Sequence, residues 1–207
     1  AGKRQVLFQE VGEGASRRLI LENGFLRAVI NPLEGGRIES LVHKRSGKEL
    51  TMPLGETVPG GLLSDHVWQQ NFWHGDWYRS PYAVKILEQK TDGVKVALTA
   101  SGRLWKGLTI QKTLTLRSDR SLLEADYKIT ADDQVAALCK PDFHFHQALG
   151  GPGKVFLPTE AGVLARPIST ESESWVFDPS LGWLGCVSES GAGLGVLFDF
   201  QRIRAFR

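Results

Sequence analysis

Hydrophobic and polar residues alternate with a period of two along much of this chain. In residues 108–116, the leucines and the isoleucine fall on one side, while Gln111 and the threonines fall on the other. Successive side chains of a β-strand point to opposite faces, so this pattern predicts strands with one buried and one solvated face. The same alternation recurs in residues 94–98 and 123–130.

Turn signals separate the alternating stretches, and the 23 glycines of the 207 residues supply many of them. Thr91-Asp92-Gly93 predicts a hairpin between residues 87–89 and 94–98. No long stretch shows the 3.6-residue period of an amphipathic helix, and we expect at most one helical turn, within Leu63–Asn71. The fold class predicted is therefore all-β, a large antiparallel β-sandwich that forms a single domain over residues 1–207.

Composition excludes several partners. The net charge is +2 and the Lys and Arg residues are scattered, which argues against nucleic acid as a partner. No apolar run approaches the ~20 residues of a membrane span, so we expect no membrane partner. Cys139 and Cys186 lack the density of a disulfide scaffold and the spacing of a zinc ribbon, so we interpret them as buried thiols that identify no compartment.

Two segments carry a resemblance to a known superfamily. Asn23–Leu41 combines a strand, Pro32, Gly35-Gly36 and a second strand, followed by a Lys-x-x-Gly turn. Phe143–Gln147 carries two histidines and precedes a glycine-rich turn and another strand. Together these segments resemble the galactose mutarotase-like superfamily, which contains aldose 1-epimerases and accessory sandwich domains of glycoside hydrolases and polysaccharide lyases. The resemblance implies a supersandwich fold and a role in carbohydrate metabolism.

A second likeness favours the accessory domains. Leu63-Ser64-Asp65-His66, Gly75-Asp76-Trp77 and Pro81-Tyr82 are similar to the C-terminal sandwich of some α-glucan-acting hydrolases and transferases. Those enzymes carry their catalytic carboxylates on a separate barrel, which this chain does not contain.

One departure from the epimerases affects the expected activity. Their general base is a Glu on a late strand, beyond the equivalent of Gly193–Phe200, and no residue here matches it. The chain ends at Arg207, within a predicted strand over Arg202–Arg207. We therefore expect either that the sandwich is truncated at its C-terminus or that other protein segments complete its sheets.

The segment Asp65–Tyr82 predicts a sugar-binding loop, because it mixes tryptophans and tyrosines with amides, carboxylates and Arg. Flat aromatic rings stack on sugars, while the polar groups bond to hydroxyls. Alternatively, the aromatics close one end of the sandwich and the polar groups hold the loop in place. The predicted substrate-binding residues are Asp65, His66, Trp73, His74, Asp76, Trp77, Arg79 and Tyr82.

Asp142, His144 and His146 alternate with two phenylalanines, so we expect them to share one face of a strand. Opening a pyranose ring needs an acid for the ring oxygen, and a histidine suits that task, so His144 and His146 are the candidate catalytic residues. Alternatively, they lie on a solvated sheet face without a chemical role. Since no third or fourth ligand accompanies His144-x-His146 or His74-x-Asp76, we expect no metal and no other cofactor.

Three functional hypotheses follow. The first is a carbohydrate-binding sandwich domain that belongs to, or is accessory to, a glycan-processing protein. The second is an aldose 1-epimerase-type enzyme with His as general acid, and the third is a structural module that completes a neighbouring catalytic domain. The expected partners are a sugar or oligosaccharide and another domain or chain of the same protein. The sequence leaves open which sugar is bound and whether the chain is an enzyme.

Overall fold

The computed structural model describes residues 5–52, 60–68, 76–133, 140–145, 152–168, 176–177, 179–203 and 205–206. Within these residues the regular structure is β-strand, apart from the 3-10 turns Gly14–Ser16 and Phe200–Arg202. The strands pair in antiparallel sheets, which confirms the predicted all-β sandwich. In the described part of the chain, no helix has the length and apolar character needed to cross a membrane.

The chain divides into two compact units, Ala1–Gln147 and Ala148–Arg207. A seven-stranded sheet of the first unit contains, in spatial order, β1 (Leu7–Val11), β2 (Arg18–Glu22), β3 (Leu26–Asn31), β4 (Arg37–His43), β6 (Leu62–Trp68) and β11 (Lys140–Phe145), with β5 (Lys48–Glu49) paired to β4. The predicted single domain over residues 1–207 stays a prediction, because a division by contact density does not test independent folding.

A four-stranded sheet lies in the same unit. Its strands, in spatial order, are β10 (Leu123–Ala131), β9 (Leu108–Arg117), β8 (Gly93–Ser101) and β7 (Ala83–Lys90). Lys90 of β7 pairs with Gly93 of β8, which leaves a two-residue turn between them and confirms the predicted hairpin.

The core of the first unit lies between these two sheets. The period-2 pattern predicts the inward residues of β8 and β9 correctly, since their apolar members are buried, whereas those of β10 are half-buried. The predicted solvated face of β9 is partly wrong, because Thr113 and Thr115 are buried as well. The buried apolar residues on β2, β3, β8 and β9 include Leu19, Leu21, Ile30, Val94, Val96, Leu98, Ile110, Leu114 and Leu116. Lys112 of β9 donates a hydrogen bond to the carbonyl oxygen of Leu63 on β6, which shows that the sheets face each other.

The second unit contains a four-stranded sheet and one separate strand pair. The sheet order is β13 (Gly162–Pro167), β12 (Gly153–Thr159), β15 (Trp183–Ser188) and β16 (Gly193–Leu197), and β14 (Val176–Phe177) pairs with β17 (Ala205–Phe206). A tight turn containing Gly191, which has a φ of 80°, precedes β16.

Three local predictions are wrong. The expected helical turn in Leu63–Asn71 and the first residues of the expected loop Asp65–Tyr82 belong instead to β6, which ends at Trp68. The neighbouring strands β4 and β11 provide backbone partners for β6, so tertiary pairing decides its structure. The predicted strand Arg202–Arg207 is shorter, because Arg202 lies in a 3-10 turn and β17 covers only two residues.

Candidate functional site

Strand β6 places two polar residues, Ser64 and His66, on the outer face of the seven-stranded sheet, opposite the core. Ser64 Oγ lies 3.2 Å from His66 Nε2, and both side chains point away from the core-facing Asp65. The backbone register of the neighbouring strand β11 pairs Asp142 with His66 and His144 with Ser64.

Several predicted site residues lie outside the described residues. They are Trp73, His74 and His146. Asp142 and His144 both belong to β11, and the expectation that their side chains share one face stays a prediction. Phe143, between them, lies on the core side, where its ring centroid is 4.3 Å from that of Tyr127.

Tyr78 joins two of the predicted binding residues. The His66 and Tyr78 rings stack, with centroids 5.4 Å apart and planes inclined by 12°. The Arg79 guanidinium carbon lies 5.2 Å from the Tyr78 ring centroid, at a distance that suits a cation–π contact. His66 is only 1% exposed, whereas Arg79 is exposed, so this row runs from the buried sheet surface toward solvent.

Arg37, the first residue of β4, is a buried cation that the sequence analysis did not select. Its side chain is 2% exposed, and its Nη2 donates to the Glu34 carboxylate. Among the described residues, its Nε and Nη1 have no hydrogen-bond partner. Burial lowers the pKa of Arg37, Arg79 and Arg18 lower it further, and Glu34 and Glu39 oppose the shift.

Glu39 of β4 is a further polar residue of the seven-stranded sheet. The register between β3 and β4 shifts between Val29 and Ile30, so Glu39 occupies a β-bulge. Its two carboxylate oxygens accept hydrogen bonds of 2.6 Å from Arg18 Nε and from Asn31 Nδ2. A bulge depends on the pairing with the next strand, so the alternation of residues along β4 could not reveal it.

Asp65, predicted as a sugar ligand, lies between the two sheets of the first unit. Its carboxylate accepts hydrogen bonds from the hydroxyls of Tyr82 and Tyr127, at 2.9 and 2.7 Å. Lys112 Nζ lies 2.8 Å from Asp65 Oδ2, and neither side chain is exposed. The structure therefore gives Asp65 and Tyr82 internal partners, and their role as sugar ligands stays a prediction.

The sequence analysis missed Lys112, although its position carried a signal. It occupies an inward position of β9 between Ile110 and Leu114, where every other alternate residue is apolar. A buried ammonium needs acceptors, and Lys112 has two besides Asp65: the carbonyl oxygens of Gly35 and Leu63, at 3.3 and 2.9 Å.

Burial and charge act against each other in this pair. Burial raises the pKa of Asp65 and lowers the pKa of Lys112, while the attraction between the two charges opposes both shifts. Burial and the Asp65 carboxylate both raise the pKa of Tyr82 and of Tyr127, so these phenols stay protonated and act as donors.

Asp76 and Trp77, also predicted as sugar ligands, hold the loop before β9. Asp76 Oδ2 accepts hydrogen bonds from the backbone N–H groups of Leu104 and Trp105, at 2.7 and 3.3 Å. Trp77 is 1% exposed and has a φ of 77°, a left-handed conformation that is rare for a bulky residue. Their positions agree with the alternative that this segment supports the fold, while their sugar contacts stay a prediction.

Within the described residues, no group of three or more His, Cys, Asp or Glu side chains is arranged to hold a metal ion. The described side chains of the outer face offer hydrogen-bond donors, acceptors and fixed charges. Such groups can bind and orient a polyhydroxylated molecule.

Comparison with known proteins identifies the fold but not a family. No family model matches the sequence, and no curated protein matches it. A solved 4-alpha-glucanotransferase from Thermococcus litoralis is similar, with a TM-score of 0.55 and 15% identity over 94% of this chain. A TPR-domain containing protein from Parabacteroides distasonis ATCC 8503 is also similar, with a TM-score of 0.57 and 18% identity over 88% of this chain.

At these identities the likeness shows a shared β-fold. The chain spans about a third of the length of both solved proteins, since it covers 36% of each.

Proposed function

We propose that this chain is a carbohydrate-binding β-sandwich domain, part of or accessory to a glycan-processing protein. The polar outer face of the seven-stranded sheet carries the proposal. Sugar hydroxyls both donate and accept hydrogen bonds, so a sugar site needs donors and acceptors on one surface. Arg37 and Arg18 carry donors and Glu39 carries acceptor oxygens, while Ser64 and His66 are buried and lie within hydrogen-bond distance of each other.

The fold likeness to a glucanotransferase supports this proposal at the level of architecture. The proposal also extends to the superfamily: we propose that the domain is galactose mutarotase-like and related to the C-terminal sandwich of α-glucan-acting enzymes. Because the chain spans about a third of both solved proteins, the proposed partner is another domain or chain of the same protein.

The proposed sugar contacts fall into two groups. His66 and Arg79 lie on the outer face, and Trp73, His74 and His144 are proposed to join them there. The remaining predicted ligands are buried, and three of them, Asp65, Asp76 and Tyr82, have internal hydrogen-bond partners. The fourth is Trp77.

A fluorescence titration tests the proposal. A panel of neutral and acidic oligosaccharides is expected to shift or quench tryptophan emission, and Trp73→Ala should weaken binding by about 1–3 kcal/mol. The matched control is Trp183→Ala on β15, which belongs to the other unit. A folded sample that binds nothing on a broad glycan array would reject sugar binding and favour the structural module.

An aldose 1-epimerase-type activity is the second candidate. One observation favours it: the backbone register pairs Asp142 of β11 with His66 and His144 with Ser64 of β6. A histidine there would act as general acid toward the ring oxygen of a bound sugar. Since no Glu of the chain matches the epimerase base, we rank this activity below binding.

A further inference from the structure

The Arg37 guanidinium has donors that the described part of the protein leaves unused. One nitrogen pairs with Glu34, but Nε and Nη1 are buried and have no hydrogen-bond partner among the described residues. Leaving a buried donor unsatisfied costs about 1–3 kcal/mol, and more for a charged group. Buried polar groups are normally satisfied, so these two N–H groups require acceptors that the described residues do not supply.

The charges around Arg37 indicate what kind of acceptor fits. Arg37 interacts electrostatically with two glutamates, Glu34 and Glu39, and with two further arginines, Arg79 and Arg18. Arg18 pairs with Glu39 and Arg37 with Glu34. Arg79 has no carboxylate partner within the described ranges, so these five residues together carry one more positive than negative charge.

A neutral sugar could accept hydrogen bonds from Arg37 but would leave this excess charge uncompensated. A carboxylate would neutralise it, and hydrogen bonds between ionised partners are the stronger ones. The donors of a guanidinium are spread around its planar edge, so two N–H groups on Arg37 can engage two different acceptor atoms. A sugar with a carboxylate next to its hydroxyls offers both kinds of oxygen.

We propose that the Arg37–Arg79 cluster on the outer sheet face recognises the carboxylate of an acidic sugar, namely a uronic acid residue. This inference rests on the proposed carbohydrate binding and specifies its ligand class. Arg37 provides the buried donors, and the exposed Arg79 attracts the ligand from solvent. Glu34 and Glu39 hold the arginines in place rather than contacting the carboxylate, which they would repel.

Calorimetric titration of the full chain tests this ligand class with matched probes. The probes are trigalacturonate, a mannuronate trisaccharide and a hyaluronan tetrasaccharide, the methyl ester of each, and maltotriose. At least one acidic probe is expected to bind, and its methyl ester, which keeps the ring but loses the charge, should bind about tenfold or more weakly.

Two variants connect the binding to the cluster. Arg37→Met and Arg79→Gln are each expected to weaken acidic-probe binding about tenfold. Arg79 is exposed, so its variant keeps the test valid if Arg37→Met does not fold. The control is Arg45→Gln, in the exposed turn beyond the opposite end of β4, which should leave affinity unchanged.

Different outcomes separate this inference from the broader proposal. If an ester or maltotriose binds as tightly as the acidic probes, the site takes neutral sugars, and only the uronate inference fails. The same holds if the acidic probes bind but both folded variants retain full affinity, in which case water alone satisfies Arg37. If no oligosaccharide binds the folded chain, the proposed carbohydrate binding fails as well.

Discussion

Lys112 Nζ lies 2.8 Å from Asp65 Oδ2, and neither side chain is exposed to solvent. Lys112 belongs to β9 and Asp65 to β6, so the ion pair joins the two sheets of the first unit. Fixing Asp65 toward the core also fixes its strand neighbours, because alternate residues of β6 must then point outward. The buried pair therefore helps to place Ser64 and His66 on the outer face.

Breaking this pair should strongly destabilise the fold. Asp65→Ala leaves Lys112 as an uncompensated buried charge, and we expect a loss of about 3–5 kcal/mol in the free energy of unfolding. The double variant Asp65→Ala/Lys112→Met removes that charge and should regain part of the loss. Urea denaturation measures both, with the exposed Lys128→Ala on β10 as control. A single-variant loss below about 1 kcal/mol would contradict the role given to the pair.

Glu49 should make the unfolding free energy depend on pH. Burial alone raises its pKa, but hydrogen bonds from Ser40, Thr51 and the backbone of Leu41 outweigh burial and lower it. A pKa that is lower in the folded state than in the unfolded state increases the free energy of unfolding at pH values above the unfolded-state pKa. This added stability is lost as the pH falls through the folded-state pKa. The stability difference between the native protein and Glu49→Gln should therefore be larger at about pH 7 than at about pH 3.

The control for this pH dependence is Glu124→Gln on β10, an exposed residue in the described structure. It is measured at the same two pH values, to correct for effects of a Glu→Gln substitution at an exposed position. A stability difference for Glu49→Gln that does not change with pH would show that its hydrogen bonds do not favour the ionised form.

Alanine substitutions at Gly35 and Gly47 distinguish the cost of backbone strain from the cost of a steric clash. Both have a left-handed conformation, with φ of 72° and 65°. A Cβ on Gly35 would clash with the carbonyl oxygen of Tyr78, whereas a Cβ on Gly47 would meet nothing within 4 Å. Gly47→Ala should cost about 1–2 kcal/mol from backbone strain alone, and Gly35→Ala clearly more. Equal losses in urea denaturation would show that Tyr78 moves aside freely.

Trp77 should prove to be a residue of the core. Its side chain is 1% exposed, so Trp77→Ala creates a cavity and is expected to reduce the unfolding free energy by about 3–5 kcal/mol. The variant measured at low temperature, where it stays folded, should bind sugar nearly as the native protein does. A variant of native stability that loses sugar binding would instead assign Trp77 to the ligand site.

The isolated chain should be a poor mutarotase. Ring opening needs an acid and a base, and each accelerates the reaction about 10²–10⁴-fold. Because no residue of this chain matches the Glu that serves as base in the epimerases, one of these two contributions is expected to be missing. Polarimetry of freshly dissolved α-glucose and α-galactose is expected to show little acceleration. Fast equilibration that His144→Ala abolishes would reverse the ranking and make the epimerase the leading function.

Much of the fold was predictable because the alternation of apolar and polar residues along a β-strand indicates which of its side chains are buried. The alternation in residues 94–98 and 108–116 identified β8, β9 and their buried side chains without knowledge of their neighbours. The Thr91-Asp92-Gly93 signal likewise predicted a turn from local conformational preference. These features depend on residues close together in the chain, so the sequence by itself determined them.

The candidate site depended on contacts between distant residues. The sequence placed Asp65 and His66 together as ligands, but the structure directs Asp65 to Lys112 and His66 to Tyr78 on the other side of the sheet. Pairing with β4 and β11 sets this orientation, and Leu63, with a φ of 55°, lies at the irregularity in the β6–β11 register. A one-residue shift in register exchanges the two faces of a strand. For β6, only tertiary pairing could therefore decide which residues face the core and which face outward, because the local sequence does not fix the register.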